Sequence, residues 1–250
     1  MARIAFITGA TSGIGQATAT LFAQAGIDLI LCGRRQDRLD ALNQSFSNTV
    51  KVLTLCFDVR DREAINAQVS ALPSEWKNID ILVNNAGNAH GLGTLADGDT
   101  DDWDQMLDGN VKGLLYVSKA IIPLMLENKQ GHIVNISSIA GKETYVNGVV
   151  YCASKSAVET ISQGMRLELT QKGIKITNIA PGAVETEFSM VRFKGDADRA
   201  GQVYQGFEPL QPEDIADAIL YAVNAPKHVT IADLTILAGA QSAATTIHRS

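Results

Sequence analysis

Short unbroken runs of Val, Ile and Leu recur along this chain, and each is followed by a stretch with helical spacing. No other feature constrains the fold as much. The runs cover 3–8, 28–32, 50–57, 79–83, 132–136, 175–179 and 234–237. The amphipathic stretches between them cover 14–25, 38–46, 62–72, 101–127, 149–171 and 212–223. A strand that is apolar at consecutive positions is buried on both faces, and a parallel sheet flanked by helices provides that burial. Repeated strand-then-helix order is the mark of a doubly wound α/β fold. A chain of 250 residues, 46% of them hydrophobic, suits one such domain over 1–250, with no linker, repeat or low-complexity tract.

The first run ends in Thr8-Gly9-Ala10-Thr11-Ser12-Gly13-Ile14-Gly15 and leads into a helix. Glycines at a strand-to-helix turn let the backbone approach a pyrophosphate, and the helix N-terminus supplies free N–H groups. The spacing is GxxxGxG, where the common dinucleotide fingerprint is GxGxxG. The expected fold is therefore a Rossmann-type doubly wound parallel sheet of about seven strands, one for each run. The second run ends Cys32-Gly33-Arg34-Arg35, with no acid to hold ribose hydroxyls. Two guanidinium groups stand where a 2′-phosphate would lie, which favours NADP over NAD. The residues alone do not rank Arg34 against Arg35.

Tyr151-Cys152-Ala153-Ser154-Lys155 places a phenol and an ammonium four residues apart, on one face of a helix. A charge about 5 Å away at an effective dielectric of roughly 20 favours phenolate by roughly 3 kcal/mol, about two pKa units. Tyr151 then becomes a general acid/base near neutral pH. Ser138 follows the run 132–136 and would face the ligand crevice at the strand ends. Ser137 competes for the same role.

The excursion 185–211 interrupts the alternation and carries Arg192-Phe193-Lys194-Gly195-Asp196. It leaves the sheet after the run 175–179, at the carboxyl edge where open α/β sheets bind ligands, and it is expected to be a substrate lid. Net charge is −6, which argues against broad contact with nucleic acid or an acidic membrane face. Three scattered cysteines and four scattered histidines form no metal-ligand spacing. No apolar run approaches a membrane span, and no signal peptide precedes the first strand, so the expected location is cytoplasmic.

Together the motifs resemble the short-chain dehydrogenase/reductase family. They are TGATSGIG at 8–15, Asn84-Asn85-Ala86-Gly87, Asn110, Ser138, Tyr151, Lys155 and Pro181-Gly182. The resemblance implies that Tyr151 is the acid/base, and that Lys155 lowers its pKa and binds the nicotinamide ribose. It assigns Ser138 to polarise the carbonyl and Asn110 to hold a relay water. It implies cofactor contacts at Gly9, Thr11, Ser12, Gly13, Ile14, Gly15, Arg34, Arg35, Asp58 and Val59. It implies more at Asn85, Ala86, Gly87, Tyr151, Lys155, Pro181, Gly182, Val184 and Thr186. The run 187–196, Pro212-Glu213-Asp214-Ile215 and His248-Arg249 resemble the NADP-dependent 3-hydroxy acid dehydrogenase branch. That branch acts on L-serine, L-allo-threonine and 3-hydroxypropionate/malonic semialdehyde. A carboxylate substrate would suit Arg192 or Lys194 on the lid, with Ser138 and Tyr151 at the hydroxyl. Family members are commonly homotetramers joined through the helices 101–127 and 149–171. The rival readings are a 3-oxoacyl-thioester or other carbonyl reductase, and a regulator that binds NADP without chemistry.

Overall fold

A computed structural model describes residues 2–250. Seven strands form one parallel sheet in the order β3-β2-β1-β4-β5-β6-β7. They are β1 (Ile4–Thr8), β2 (Asp28–Gly33), β3 (Val52–Cys56), β4 (Ile81–Asn84), β5 (Gly131–Ile136), β6 (Ile174–Pro181) and β7 (Asp233–Ile236). All seven apolar runs became strands, because side chains on both faces of a parallel strand meet helices.

Along β1, Phe6 packs on one face with α3 (Arg62–Ser70), α5 (Leu114–Glu127) and α6 (Val149–Leu169). Ala5 and Ile7 pack on the other with α1 (Gly13–Gln24), α2 (Gln36–Phe46) and α9 (Pro212–Val223). The two-residue period of a strand thus splits the core into two layers. The winding direction reverses between β1 and β4, and a crevice opens there at the carboxyl edge of the sheet.

The stretch expected as one helix over 101–127 is corrected. α4 (Thr100–Leu107) ends in a π turn at Asp108–Gly113 before α5 begins. The irregular turn packs its backbone against the Val59 side chain: a Cβ on Gly113 would lie 2.8 Å from Val59 Cγ2. The excursion carries two short helices, α7 (Phe188–Arg192) and α8 (Ala197–Gln202). Its ends are drawn together: Glu185 N–H donates to Leu210 O at 2.8 Å, and Tyr204 Oη donates to Val184 O at 2.9 Å. Among the described residues no helix is long and apolar enough to cross a membrane.

Candidate active site

The crevice has a volume of about 730 Å³, within the range of ligand-binding clefts. At one end lies the glycine turn. Gly9 has φ +64° and Gly13 φ +52°, conformations that suit residues without a Cβ. Ser12 precedes α1 without capping it through its side chain, so the first-turn N–H groups remain available to an anion. The turn is braced from β4: Asn85 Nδ2 donates to Thr8 O at 2.9 Å and Gly9 O at 3.1 Å, while Thr8 Oγ1 accepts from Asn85 and Ala86 N–H. These features fit a dinucleotide pyrophosphate.

Every anticipated site residue lines this crevice except Gly15 and Asn110. Gly15 is fixed by packing inside the turn. A Cβ there would lie 2.3 Å from Gly9 O and 2.5 Å from Asn85 Nδ2, so glycine keeps the turn closed. Asn110 sits in the π turn, 2% exposed. Its side chain is already committed: Oδ1 accepts from Asn88 N–H, and Nδ2 donates to Asn88 O and Ser154 Oγ. It braces the cofactor-side loop from inside the π turn.

The two arginines separate clearly. Arg35 donates to Thr11 Oγ1 and Thr11 O, and pairs with Glu187 at 2.9 Å; Arg38 pairs with the same carboxylate at 2.8 Å. Arg34 lies 3.7 Å from Asp58 with its side chain 61% exposed at the crevice rim. Asp58 is held more strongly by Arg60 at 2.7 Å. Arg34 is therefore the guanidinium with donors to spare.

At the other end, Tyr151 and Lys155 are both buried on α6. Burial lifts the Tyr151 phenol well above its ordinary value; Ser138 and the Arg192 charge act against that rise. Burial also pulls Lys155 down to about 8, with the Glu159 carboxylate opposing it. The Lys155 ammonium is also tied to the sheet. Lys155 Nζ donates to Ile136 O at 2.9 Å, because a buried ammonium needs a hydrogen-bond partner and β5 offers a carbonyl. Ser137 Oγ donates to Lys155 O, so it is occupied with α6. Ser138 Oγ accepts from Ala140 N–H and faces the crevice beside the phenol.

Sequence reasoning missed Tyr145, Glu187 and Phe188. Phe188 packs on Tyr151 with ring centroids 5.7 Å apart. The Arg192 guanidinium lies 5.6 Å from the ring centroids of both Tyr145 and Tyr151, and donates to Tyr145 Oη at 3.1 Å. Its Nε is buried with no partner. Lys194 turns away to Asp102 at 3.0 Å and Asp99 at 3.4 Å. The excursion thus spans the crevice, anchored by Glu187 at the glycine-turn side and by Lys194 at α4. At the C-terminus, Arg249 donates to Gln205 O and Val203 O and stacks on Phe207.

A glycine turn aimed at a pyrophosphate, with a Ser-Tyr-Lys cluster at the far end of the same crevice, defines a dinucleotide-dependent dehydrogenase fold. The short chain dehydrogenase family model matches residues 3–197, and the chain belongs to that family. An NADP-dependent 3-hydroxy acid dehydrogenase of Salmonella typhi is 43% identical over 249 residues, covering 99% of this chain and 100% of that protein. Sulfoacetaldehyde reductase 2 of Chromohalobacter salexigens is 42% identical over 238 residues, covering 95% of this chain and 94% of that protein. A closed form of serine dehydrogenase complexed with NADP+ superposes with a TM-score of 0.93 at 42% identity, covering 99% of this chain and 100% of that chain.

Proposed function

We propose that this chain is an NADP-dependent oxidoreductase that interconverts the hydroxyl and carbonyl forms of a small acid carrying its anionic group near the reacting carbon. L-serine, L-allo-threonine and 3-hydroxypropionate/malonic semialdehyde are the candidate substrates. The observation that carries this reading is Arg192, whose buried Nε–H lacks a partner beside the Tyr151 ring. A buried donor without an acceptor is costly, and a substrate carboxylate would satisfy it with a charge-assisted bond. The relatives act on substrates of this kind: their names specify 3-hydroxy acids and sulfoacetaldehyde, each anionic at neutral pH.

NADP would be held by the turn Gly9–Gly13, by Arg34 at the 2′-phosphate, and by Asp58-Val59 and Asn85-Ala86-Gly87 along the crevice. Pro181, Gly182, Val184 and Thr186 would meet its nicotinamide end. The cofactor supplies the acceptor or donor of the hydride. Ser138 holds the substrate oxygen, and Tyr151 takes the hydroxyl proton in oxidation or returns it in reduction. The buried neutral phenol is the acid form; Arg192 and Ser138 favour the phenolate. Lys155, with its pKa near 8, is mostly ammonium at neutral pH and adds positive charge beneath the site. The segment 185–211 serves as a lid that excludes water. We further propose a homotetramer joined through α4–α5 and α6, working in the cytoplasm.

The test is an initial-rate panel on the purified chain, with Tyr151→Phe as control. NADP and NAD are compared on L-serine, L-allo-threonine, 3-hydroxypropionate and a long-chain 3-hydroxyacyl thioester. NADP-linked turnover of the small acids, lost in Tyr151→Phe, is the expected result. Turnover of the thioester alone would move the protein to the acyl-thioester reductases. Binding of NADP with no turnover on any of them would favour the regulator reading.

A further inference from the structure

Four polar side chains form a closed ring one helical turn along α6 from Lys155. Glu159 lies one turn beyond Lys155 on α6, with its side chain only 14% exposed. Its Oε1 accepts from Asn178 Nδ2 at 2.9 Å, and its Oε2 pairs with Lys142 Nζ at 3.3 Å. Asp233 closes the ring: Oδ1 meets Lys142 Nζ at 2.8 Å and Oδ2 accepts from Asn178 Nδ2 at 2.8 Å. Two carboxylates therefore share one ammonium and one amide. The Asn178 amide is oriented by two acceptors at once, which leaves its buried Oδ1 without a partner.

The four residues come from four elements that frame the reacting end of the crevice. Lys142 follows the short turn Ile139–Gly141, which opens at Ser138. Glu159 stands on the helix of Tyr151 and Lys155. Asn178 lies on β6, which runs on to Pro181, and Asp233 begins β7. A direct bond joins the first two as well: Ser156 Oγ donates to Gly141 O at 2.7 Å. A polar network of this kind holds its elements in one arrangement only while every member is present.

We infer that Glu159 is a positioning residue for the acid–base pair: the ring holds the Ser138 turn against α6 and fixes the Glu159 carboxylate one helical turn from Lys155. This rests on the reading of Tyr151 and Lys155 as the reacting pair. The charge geometry is simple. Side chains four apart on a helix are neighbours, so Glu159 faces Lys155 along α6 as Tyr151 does from the other side. The elements packed against Lys155 present Ile136 O, Ser137, Ser138 and Asn110, all uncharged, and Glu159 is the charged group that raises Lys155 against burial. Facing Glu159 from outside α6 are Lys142 and Asp233, with Arg166 acting on Asp233 in turn. Lys142 partly offsets the Glu159 charge, so the two residues pull Lys155 in opposite directions.

Opposite pulls give a test with signs. In Glu159→Gln the carboxylate is gone, the amide can still bond Asn178 or Lys142 in part, and Lys155 loses its proton more readily. In Lys142→Met the Glu159 charge is uncompensated, and Lys155 holds its proton more tightly. The first readout is the titration of Lys155 in the whole chain labelled with 13Cε-lysine, assigned by Lys155→Met. The second is the pH profile of carbonyl reduction with NADPH, whose alkaline limb needs both Tyr151 and Lys155 protonated. Glu159→Gln is expected to move the Lys155 titration and the alkaline limb down by about one pH unit, and Lys142→Met to move both up by a smaller amount. A Glu159→Gln kcat about fivefold lower at pH 8, with the KM for NADPH unchanged, is the accompanying signature. Asp233→Asn serves as the second variant should Glu159→Gln not fold, and it is expected to shift Lys155 down slightly. Shifts of the same sign in Glu159→Gln and Lys142→Met, or none in either, would overturn the assignment. A Lys155 titration that moves while the alkaline limb stays put would leave the tuning intact and sink the reading of Lys155 as part of the reacting pair.

Discussion

Replacing Arg192 with methionine keeps a stem of similar length between the rings of Tyr145 and Tyr151 and removes only the charge and its donors. Two effects follow, and they separate by substrate. The first is the loss of a charge-assisted bond to a substrate anion, about 1.5–3 kcal/mol, or about 10- to 150-fold in kcat/KM. Only an anionic substrate feels it. The second acts through Tyr151. A unit charge 5.6 Å from the ring, at an effective dielectric of roughly 20, favours phenolate by about 3 kcal/mol before solvent screening. Because Arg192 is partly exposed, the surviving part is smaller, and every substrate feels it equally. The assay is kcat/KM for oxidation of 3-hydroxypropionate and of the neutral 1,3-propanediol by wild type and Arg192→Met. The ratio of the two is expected to fall about 10- to 150-fold in the variant. Arg192→Lys is expected to recover part of the loss, since an ammonium supplies charge without the planar fork. An unchanged ratio would show that Arg192 meets no substrate anion, whatever happens to the absolute rates.

Three further outcomes follow from the same structure. Arg34→Ala is expected to weaken NADP binding by about 10- to 100-fold and leave NAD binding nearly unchanged; protein-fluorescence titration with both cofactors checks this, and equal weakening of both would transfer the 2′-phosphate to Arg35. Gly15→Ala is expected to weaken both cofactors together and to cost about 1–3 kcal/mol of stability, since a Cβ would stand 2.3 Å from Gly9 O; a melting temperature equal to wild type would refute the packing role. His132 is 4% exposed and bonded to Thr177, and burial lowers its pKa to about 4. In the unfolded chain the ordinary imidazole pKa is about 6.5, so the neutral ring stabilises the fold above that pH. Its contribution of up to about 3 kcal/mol is lost as pH falls from 6.5 through 4. Urea unfolding at fixed protein concentration between pH 7 and 4 is expected to show a shallower pH dependence in His132→Gln, and an unchanged slope would refute it.

The strands were legible because a parallel strand is written as a continuous apolar run, and the helices because their burial repeats near every fourth residue. All seven runs appear in the sheet to within two residues of their expected starts, apart from small differences at their ends. The π turn at Asp108–Gly113 was not legible, because the apolar spacing of α4 and α5 continues on both sides of it. The Tyr-Lys pair was legible for a similar reason: its members are four residues apart on one helix, and no tertiary information is needed to bring them together.

What the chain's order of residues could not supply was the partner of each charged or polar group across the fold. Glu187 meets Arg35 and Arg38 across 152 and 149 residues, which leaves Arg34 the less engaged of the two neighbouring arginines 34 and 35. Glu159 meets Asn178 and Lys142, and both meet Asp233, because β5, β6 and β7 are neighbours in the sheet. Burial, too, is a property of the packed molecule: it turned Tyr151 upward against the local expectation and sent the Lys155 ammonium to a strand carbonyl. Local periodicity depends on bonds along the chain and can be read from it. Long-range pairing and desolvation depend on which surfaces the sheet order brings together, and those exist only once the chain has folded.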